Sequence, residues 1–410
     1  MSRRVVVTGM SGVTAFGNDW HSIEPKLRAC ENASLYMPSY EQYNGLNTKL
    51  AAPIEDFSLP KHYTRKKIRG MGRVSKLSTL ASENALIQSG LIGSDVLTNG
   101  QTGIAYGSST GSTPAIGAFG VMLNEKDTKA ITATTYVQMM PHTTAVNVGL
   151  FFGLRGRVIP TSSACTSGSQ AIGYAYEAIK HGYQTVMVAG GAEELCPTES
   201  AVFDTLFATS LKNDAPKSTP RPYDTERDGL VIGEGAGTLV LEEYEHAVAR
   251  GATIYAELVG FASNCDAAHV TQPQMETMQL CMEMALKDAN LDPMMIDYIS
   301  AHGTATEKGD IAESNATANI FGDNAPISSL KSYLGHTLGA CGAIEAWLSL
   351  EMMHAGWFIP TLNLDNLDDR CGNLDYIRGD GREIDCQYLM SNNFAFGGIN
   401  TSLIFKRWQD

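Results

Sequence analysis

Residues 160–182, PTSSACTSGSQAIGYAYEAIKHG, and residues 326–356, PISSLKSYLGHTLGACGAIEAWLSLEMMHAG, follow one plan. Each has a proline, a Ser-Ser pair, a turn of small residues and then a helix that starts with small residues. In the first copy, apolar residues recur at helical spacing and Gly182 ends the run. An echo of this length arises by chance or from a repeat. As a repeat, it divides the chain into two similar halves, 1–250 and 251–410.

Outward from these stretches, strands and helices alternate. RRVVVT (3–8) reads as a buried first strand, and 75–90 as a helix of small residues and leucines. Residues 101–108 read as a strand, and YQTVMVAGGAEE as a strand running into a Gly-rich turn. Residues 237–243 read as a strand, followed by a helical turn over 244–250. The pattern then restarts with a strand over 252–264 and a Met-rich helix over 274–290. A strand and loop follow at 296–306, and a strand, Gly loop and strand at 388–407. Such alternation predicts an α/β fold with mainly parallel sheets.

The 410 residues carry 30 Lys and Arg against 44 Asp and Glu, a net charge of −14. A nucleic-acid protein shows a basic footprint, so this balance argues against one. Apolar residues make up 43% of the chain, enough for a sizeable core. Forty Gly against 15 Pro indicate close backbone approaches rather than linkers. No apolar run reaches the ~18–20 residues of a membrane helix, and VVV after Arg4 is too short for a signal-peptide core. A cytoplasmic protein is expected. The eight cysteines show no C-x-x-C pair, so neither a zinc site nor a redox motif is indicated.

Cys165 lies between a short apolar strand and a helix start. The first-turn amides and the positive end of the helix dipole favour a thiolate there. Such a turn also presents its residue sharply. Cys165 is therefore a candidate nucleophile; the alternative is a small residue in a tight turn. His302, in SAHGTAT, and His336, in KSYLGHTLGACG, each end an element beside Gly and Thr. Open α/β sheets place their ligands at such strand ends. Lys331 is a solvated charge or one that orients a neighbour. The Gly397–Gly398 loop can aim amides at an oxyanion, or can be a plain turn. G-x-G-x-G at 233–237 leads into a strand rather than a helix, so it reads as close packing, not as a nucleotide fingerprint. Residues 61–76 hold seven Lys or Arg and no acid, a solvated face or a docking patch for an acidic partner.

Taken in order, several motifs resemble the elongating β-ketoacyl-[acyl-carrier-protein] synthases of the thiolase superfamily. They are SSACTSG around Cys165, AGGAEE (189–194), RPYDTERDGLVIGEGAG (221–237), AHGTAT (301–306), KSYLGHTLGACGAIEA (331–346) and NNFAFGGIN (392–400). The resemblance spans nearly the whole chain. It implies a five-layered αβαβα fold of two pseudo-repeated halves, the first carrying the nucleophile, the second the histidines and the gate.

The resemblance also implies roles. Cys165 is the acyl acceptor, His302 and His336 complete a Cys-His-His set, and Lys331 is the charge beside them. Phe396 is the gate, its amide and that of Cys165 forming the oxyanion hole. Thr304 and Thr306 hold the phosphopantetheine arm, and Thr110 shapes the acyl pocket. Lys66, Lys67, Lys129 and Lys212 fall in or near regions that dock acyl carrier protein. A homodimer is expected, or a heterodimer with a related synthase subunit, with no metal or other cofactor. The implied reaction is decarboxylative condensation with malonyl carrier protein, for a fatty-acid-like chain or in a dedicated polyketide or polyene pathway. The other alternative, a non-catalytic chain-length partner subunit, usually lacks the cysteine present here. Two departures stand out. The gate reads Ala395-Phe396-Gly397-Gly398-Ile399 where the family usually has G-F-G-G-T, and Glu307-Lys308 replaces a usually uncharged pair. Ala395 is expected to stiffen the gate by making a positive φ costly.

Overall fold

A computed structural model describes residues 2–409. Eleven strands form one sheet. In chain order they are β1 (Val5–Val13), β2 (Thr102–Gly107), β3 (Val158–Thr161), β4 (Val186–Glu193), β5 (Gly235–Glu243), β6 (Ala256–Cys265), β7 (Tyr298–Ser300), β8 (Pro326–Ser328), β9 (Asp375–Tyr376), β10 (Tyr388–Phe394) and β11 (Ile399–Arg407). Their spatial order is β9-β8-β7-β10-β11-β6-β1-β5-β4-β2-β3.

That order contains the echo twice. Read inward from the edges, β3-β2-β4-β5-β1 in the first half matches β8-β7-β10-β11-β6 in the second, with β9 added outside. The halves meet where Val5–Val7 pair antiparallel with Ala256–Leu258. The expectation of mainly parallel sheets needs correction, because half of the ladders are antiparallel. The β10–β11 connection spans only residues 395–398, and so short a link permits only antiparallel neighbours. β1 also runs past the expected residue 8 to Val13, because Gly12 and Val13 continue its ladder with Gly237 and Ala236.

Helices complete the layers. α1 (Arg73–Gln88) and α2 (Thr143–Phe152) cover one face of the first half. α3 (Ser167–Lys180) and α6 (Cys341–Ala355) lie in the middle and touch strands of both halves. α4 (Met275–Ala289) and α5 (Glu307–Phe321) cover the second half outside. This is the αβαβα arrangement. α6 is buried almost all round, as a helix between two layers must be.

Glycines set how closely the middle helices cross. A Cβ on Gly168 would lie 3.0 Å from the Ala343 nitrogen, and one on Gly342 would lie 2.7 Å from Ser169 Cβ. The 233–237 glycines do the same work, since a Cβ on Gly237 would lie 2.5 Å from the Ala343 carbonyl carbon. Close packing is thus their purpose.

Candidate active site

The first-half turn carries the thiol. Ala164 adopts φ +50°, a left-handed conformation unusual for a residue with a Cβ. It holds Cys165 at the tip of a short 3-10 turn that leads into α3. The second-half turn repeats this with Leu338 at φ +47°, leading into α6. His336 precedes that turn, and its Nε2 lies 2.9 Å from Cys165 Sγ.

The tautomer of His336 follows from its other nitrogen. The Leu338 amide donates to His336 Nδ1 at 3.2 Å, so Nε2 bears the hydrogen and points at sulfur. The His302 ring stands perpendicular to that of His336 (87°), with centroids 5.4 Å apart. Donor atoms of Cys165, His302 and His336 all lie within 4.8 Å of one another. Their composition suits a metal, but the buried Lys331 ammonium beside them opposes a second cation.

Lys331 is buried and bonds Glu345 Oε1 at 2.5 Å, while Asn393 donates to Glu345 Oε2 at 2.7 Å. Burial works against the Lys331 charge, and the Glu345 carboxylate overcomes it, holding Lys331 protonated. Burial first, and then Lys331, push both histidines well below their ordinary value. Both imidazoles are therefore neutral at pH 7. Burial pushes the Cys165 thiol up to about 11, while Lys331 and the backbone amides of Phe396 and Cys165 pull the other way. Those two amides are the ones expected to form the oxyanion hole.

A cavity of about 380 Å³ opens onto the three groups. Thr304, Thr306 and Phe396 line it, and the two threonine hydroxyls lie 2.8 Å apart. The Phe396 ring stacks on Phe203 at 4.9 Å between centroids.

Family models for the beta-ketoacyl synthase N-terminal domain and the beta-ketoacyl synthase C-terminal domain match residues 2–247 and 255–365. The chain belongs to the beta-ketoacyl synthases. It is 37% identical over 414 residues to 3-oxoacyl-[acyl-carrier-protein] synthase 2 of Vibrio harveyi, covering 99% of each chain. A crystal structure of a beta-ketoacyl synthase from Burkholderia phymatum STM815 matches with TM-score 0.98 and 60% identity, over 99% of this chain and 100% of that one. A type II polyketide acyl-carrier protein in complex with its ketosynthase also matches, with TM-score 0.88 and 30% identity over the full length of both.

Within this beta-ketoacyl synthase, other expected residues fall elsewhere. Thr110 does not line the cavity; its hydroxyl lies 3.1 Å from Glu193 and 3.0 Å from Glu199. Lys66 and Lys67 sit on a single helical turn, Arg65–Ile68, with the Lys67 ammonium 4.9 Å from the Phe151 ring centroid. Lys129 pairs with Glu125 and Asp127, and Lys212 follows the loop beyond Phe207. Arg73 leaves the basic stretch altogether, because it forms a two-point bond with Glu234. None of these lysines lines the cavity.

The strain expected at Ala395 is absent. Gly397 (φ +86°) and Gly398 (φ +74°) carry the left-handed positions of the gate loop, and Ala395 does not. Its amide bonds the Ile399 carbonyl at 2.8 Å, an ordinary turn closure.

Sequence reading missed the carboxylates that hold the loops. Glu313 accepts from the His302 and Gly303 amides, each at 2.7 Å, and Asp310 accepts from the Thr304 amide at 3.1 Å. Burial raises these acids to about 7 and about 6. Glu193 accepts from the Ser109 amide and from the Gly339 amide, tying the two halves together behind the nucleophile. The signal for Asp310 and Glu313 was their spacing of three on one face of α5, directly after AHGTAT. For Glu193 it was an acid directly after the uncharged run VMVAGGA (186–192).

Proposed function

We propose that this chain is a 3-oxoacyl-[acyl-carrier-protein] synthase that joins an acyl group held on Cys165 to malonyl carrier protein with loss of carbon dioxide. The observation that carries this reading is the meeting of Cys165, His302 and His336, from three separate loops, at the end of one cavity. Relatives that match over their full length bear the same activity in their names.

The Cys165 sulfur attacks the acyl thioester, and its proton ends on the departing carrier thiol. The amides of Cys165 and Phe396 receive the oxyanion; removing one such donor costs about 3 kcal/mol. Malonyl carrier then enters. As the bond to its carboxylate breaks, the electron pair becomes an enolate whose oxygen accepts hydrogen bonds from the two neutral histidines. His336 is already in the donating tautomer. The enolate carbon attacks the acyl carbonyl, and the Cys165 thiolate leaves. Electrons balance within the substrates, so the step needs no redox group, and the two histidine donors take the place at the enolate oxygen that a Lewis-acid metal would otherwise fill. Thr304 and Thr306 hold the arm, and Lys66, Lys67, Lys129 and Lys212 steer the carrier.

A cytoplasmic setting fits the eight free cysteines. Among the described residues, no helix is long and apolar enough to cross a membrane. A homodimer fits the exposed edge strand β3, where Val158 is exposed, and the neighbouring exposed Leu150.

The test is incubation of purified protein with acyl carrier and carboxyl-labelled malonyl carrier. An acyl adduct on Cys165 and matched release of labelled carbon dioxide and 3-oxoacyl product are expected. Release of free acid instead of product would overturn the reading in favour of a thioester hydrolase.

A further inference from the structure

Phe207 is 90% exposed, with φ +54°. A bare aromatic ring costs solvation, and a left-handed backbone disfavours any residue with a Cβ. Both penalties fall on one residue, and that residue borders the cavity that ends at Cys165. Leu206 and Val270 border the same opening and are exposed too.

The loop that bears Phe207 is held firmly. The Phe207 amide bonds the Asp204 carbonyl at 3.0 Å, and the Ala208 amide bonds the Phe203 carbonyl at 3.0 Å. The Leu230 amide bonds the Ala208 carbonyl at 2.8 Å. The Asp204 carboxylate accepts from the Asn47 amide at 2.8 Å and from the Thr209 hydroxyl at 3.0 Å. A Cβ on Gly229 would lie 2.4 Å from the Ala208 oxygen, so this packing has no slack. The ring is thus presented by a fixed backbone, which lowers the ordering cost of any contact it makes.

We propose that Phe207, flanked by Leu206 and Val270, is the apolar anchor on which the acyl carrier protein seats while its arm occupies the cavity. This rests on the synthase reading above. A substrate tethered to a protein by an arm brings that protein's body down on the rim of the opening. The surface it meets there is this apolar one, and the carrier's face at the base of its arm must offer a matching apolar recess. A second copy of this chain on the same rim would close the cavity to substrate. The expected docking lysines lie outside the cavity lining, so the anchor and the cations are separate contributions.

The test compares wild type with Phe207→Gly, which removes the ring and suits the left-handed φ, and Phe207→Leu, which keeps an apolar side chain. Acylation of Cys165 is measured from acyl carrier protein and from the same acyl group on N-acetylcysteamine. For Phe207→Gly, the ratio of the carrier KM to the N-acetylcysteamine KM rises about ten-fold or more, as for an interface hot spot. Phe207→Leu recovers part of it. The melting temperature of Phe207→Gly equals or exceeds wild type, because the strain is relieved. An unmoved ratio overturns the proposal, as does a lowered melting temperature, which would make the ring structural. A change in oligomeric mass in Phe207→Gly also overturns it, in favour of a self-interface. Wild type that acylates from neither donor fails the synthase reading instead.

Discussion

The turn at Ala164–Thr166 and the turn at Leu338–Ala340 are the same device built twice. Each follows a strand at the same place in its half, each has a left-handed residue with a Cβ, and each opens a middle helix whose glycine meets the other helix. They differ at the tip. The first carries Cys165, while the second carries Gly339, whose amide bonds Glu193 at 3.0 Å. One copy supplies the nucleophile. The other lacks a side chain at the matching place and instead positions His336 before the turn, with the Leu338 amide setting its tautomer. Duplicated backbone geometry thus frames a site whose two sides do different chemistry.

The largest break in this comparison comes from Cys165→Ala. Acyl transfer should vanish, while malonyl decarboxylation persists, because the histidine donors do not depend on the thiol. Mass analysis of the protein after incubation with acyl carrier, beside carbon dioxide release, checks both halves of the claim. Next in size, His302→Ala and His336→Ala should each lower condensation by about 10²–10³-fold, the cost of one lost donor. Acyl-Cys165 formation should suffer less, and quenched-flow trapping of the acyl-enzyme separates the two steps.

Lys331→Met should act through the histidines. Burial and the Lys331 charge both hold their pKa values down. Without the charge those values rise, so the histidines protonate earlier as pH falls. The acid limb of kcat should therefore move to higher pH. Glu345 would be left buried without its cation, so Lys331→Met with Glu345→Gln is the matching variant that keeps the fold. A pH profile of both variants that coincides with wild type would remove Lys331 from this role.

The smallest effect tests the structural side. Gly168→Ala and Gly342→Ala should each lower stability by about 1–3 kcal/mol through overpacking of the helix crossing. The contact at Gly342 is tighter, at 2.6 Å from Asn393 Oδ1 against 3.0 Å at Gly168, so its loss should be greater. Denaturant midpoints decide the order.

Much of this was legible in the residues. Small residues around Cys165 and Gly342 announce close helix crossings, since only they let backbones approach. Alternation of elements and the ordered motifs gave the fold class, the Cys-His-His set and the gate. Strand direction was legible only at β10–β11, where the four-residue link forces antiparallel pairing; elsewhere a buried apolar strand reads alike in parallel and antiparallel ladders. Nor were the roles of Glu313, Asp310 and Glu193, because an acid's burial depends on which amides fold around it.

What the chain determines locally is the presentation of its reactive groups: a thiol at a helix start, histidines at strand ends, glycines in the gate. Only the tertiary structure decides that Cys165 and His336, 171 residues apart, stand 2.9 Å from each other. It alone sets their electrostatics, because the buried Lys331–Glu345 pair exerts its field only once water is excluded from around it. The tautomer of His336 belongs to the same class, fixed by a backbone amide whose direction depends on a left-handed Leu338.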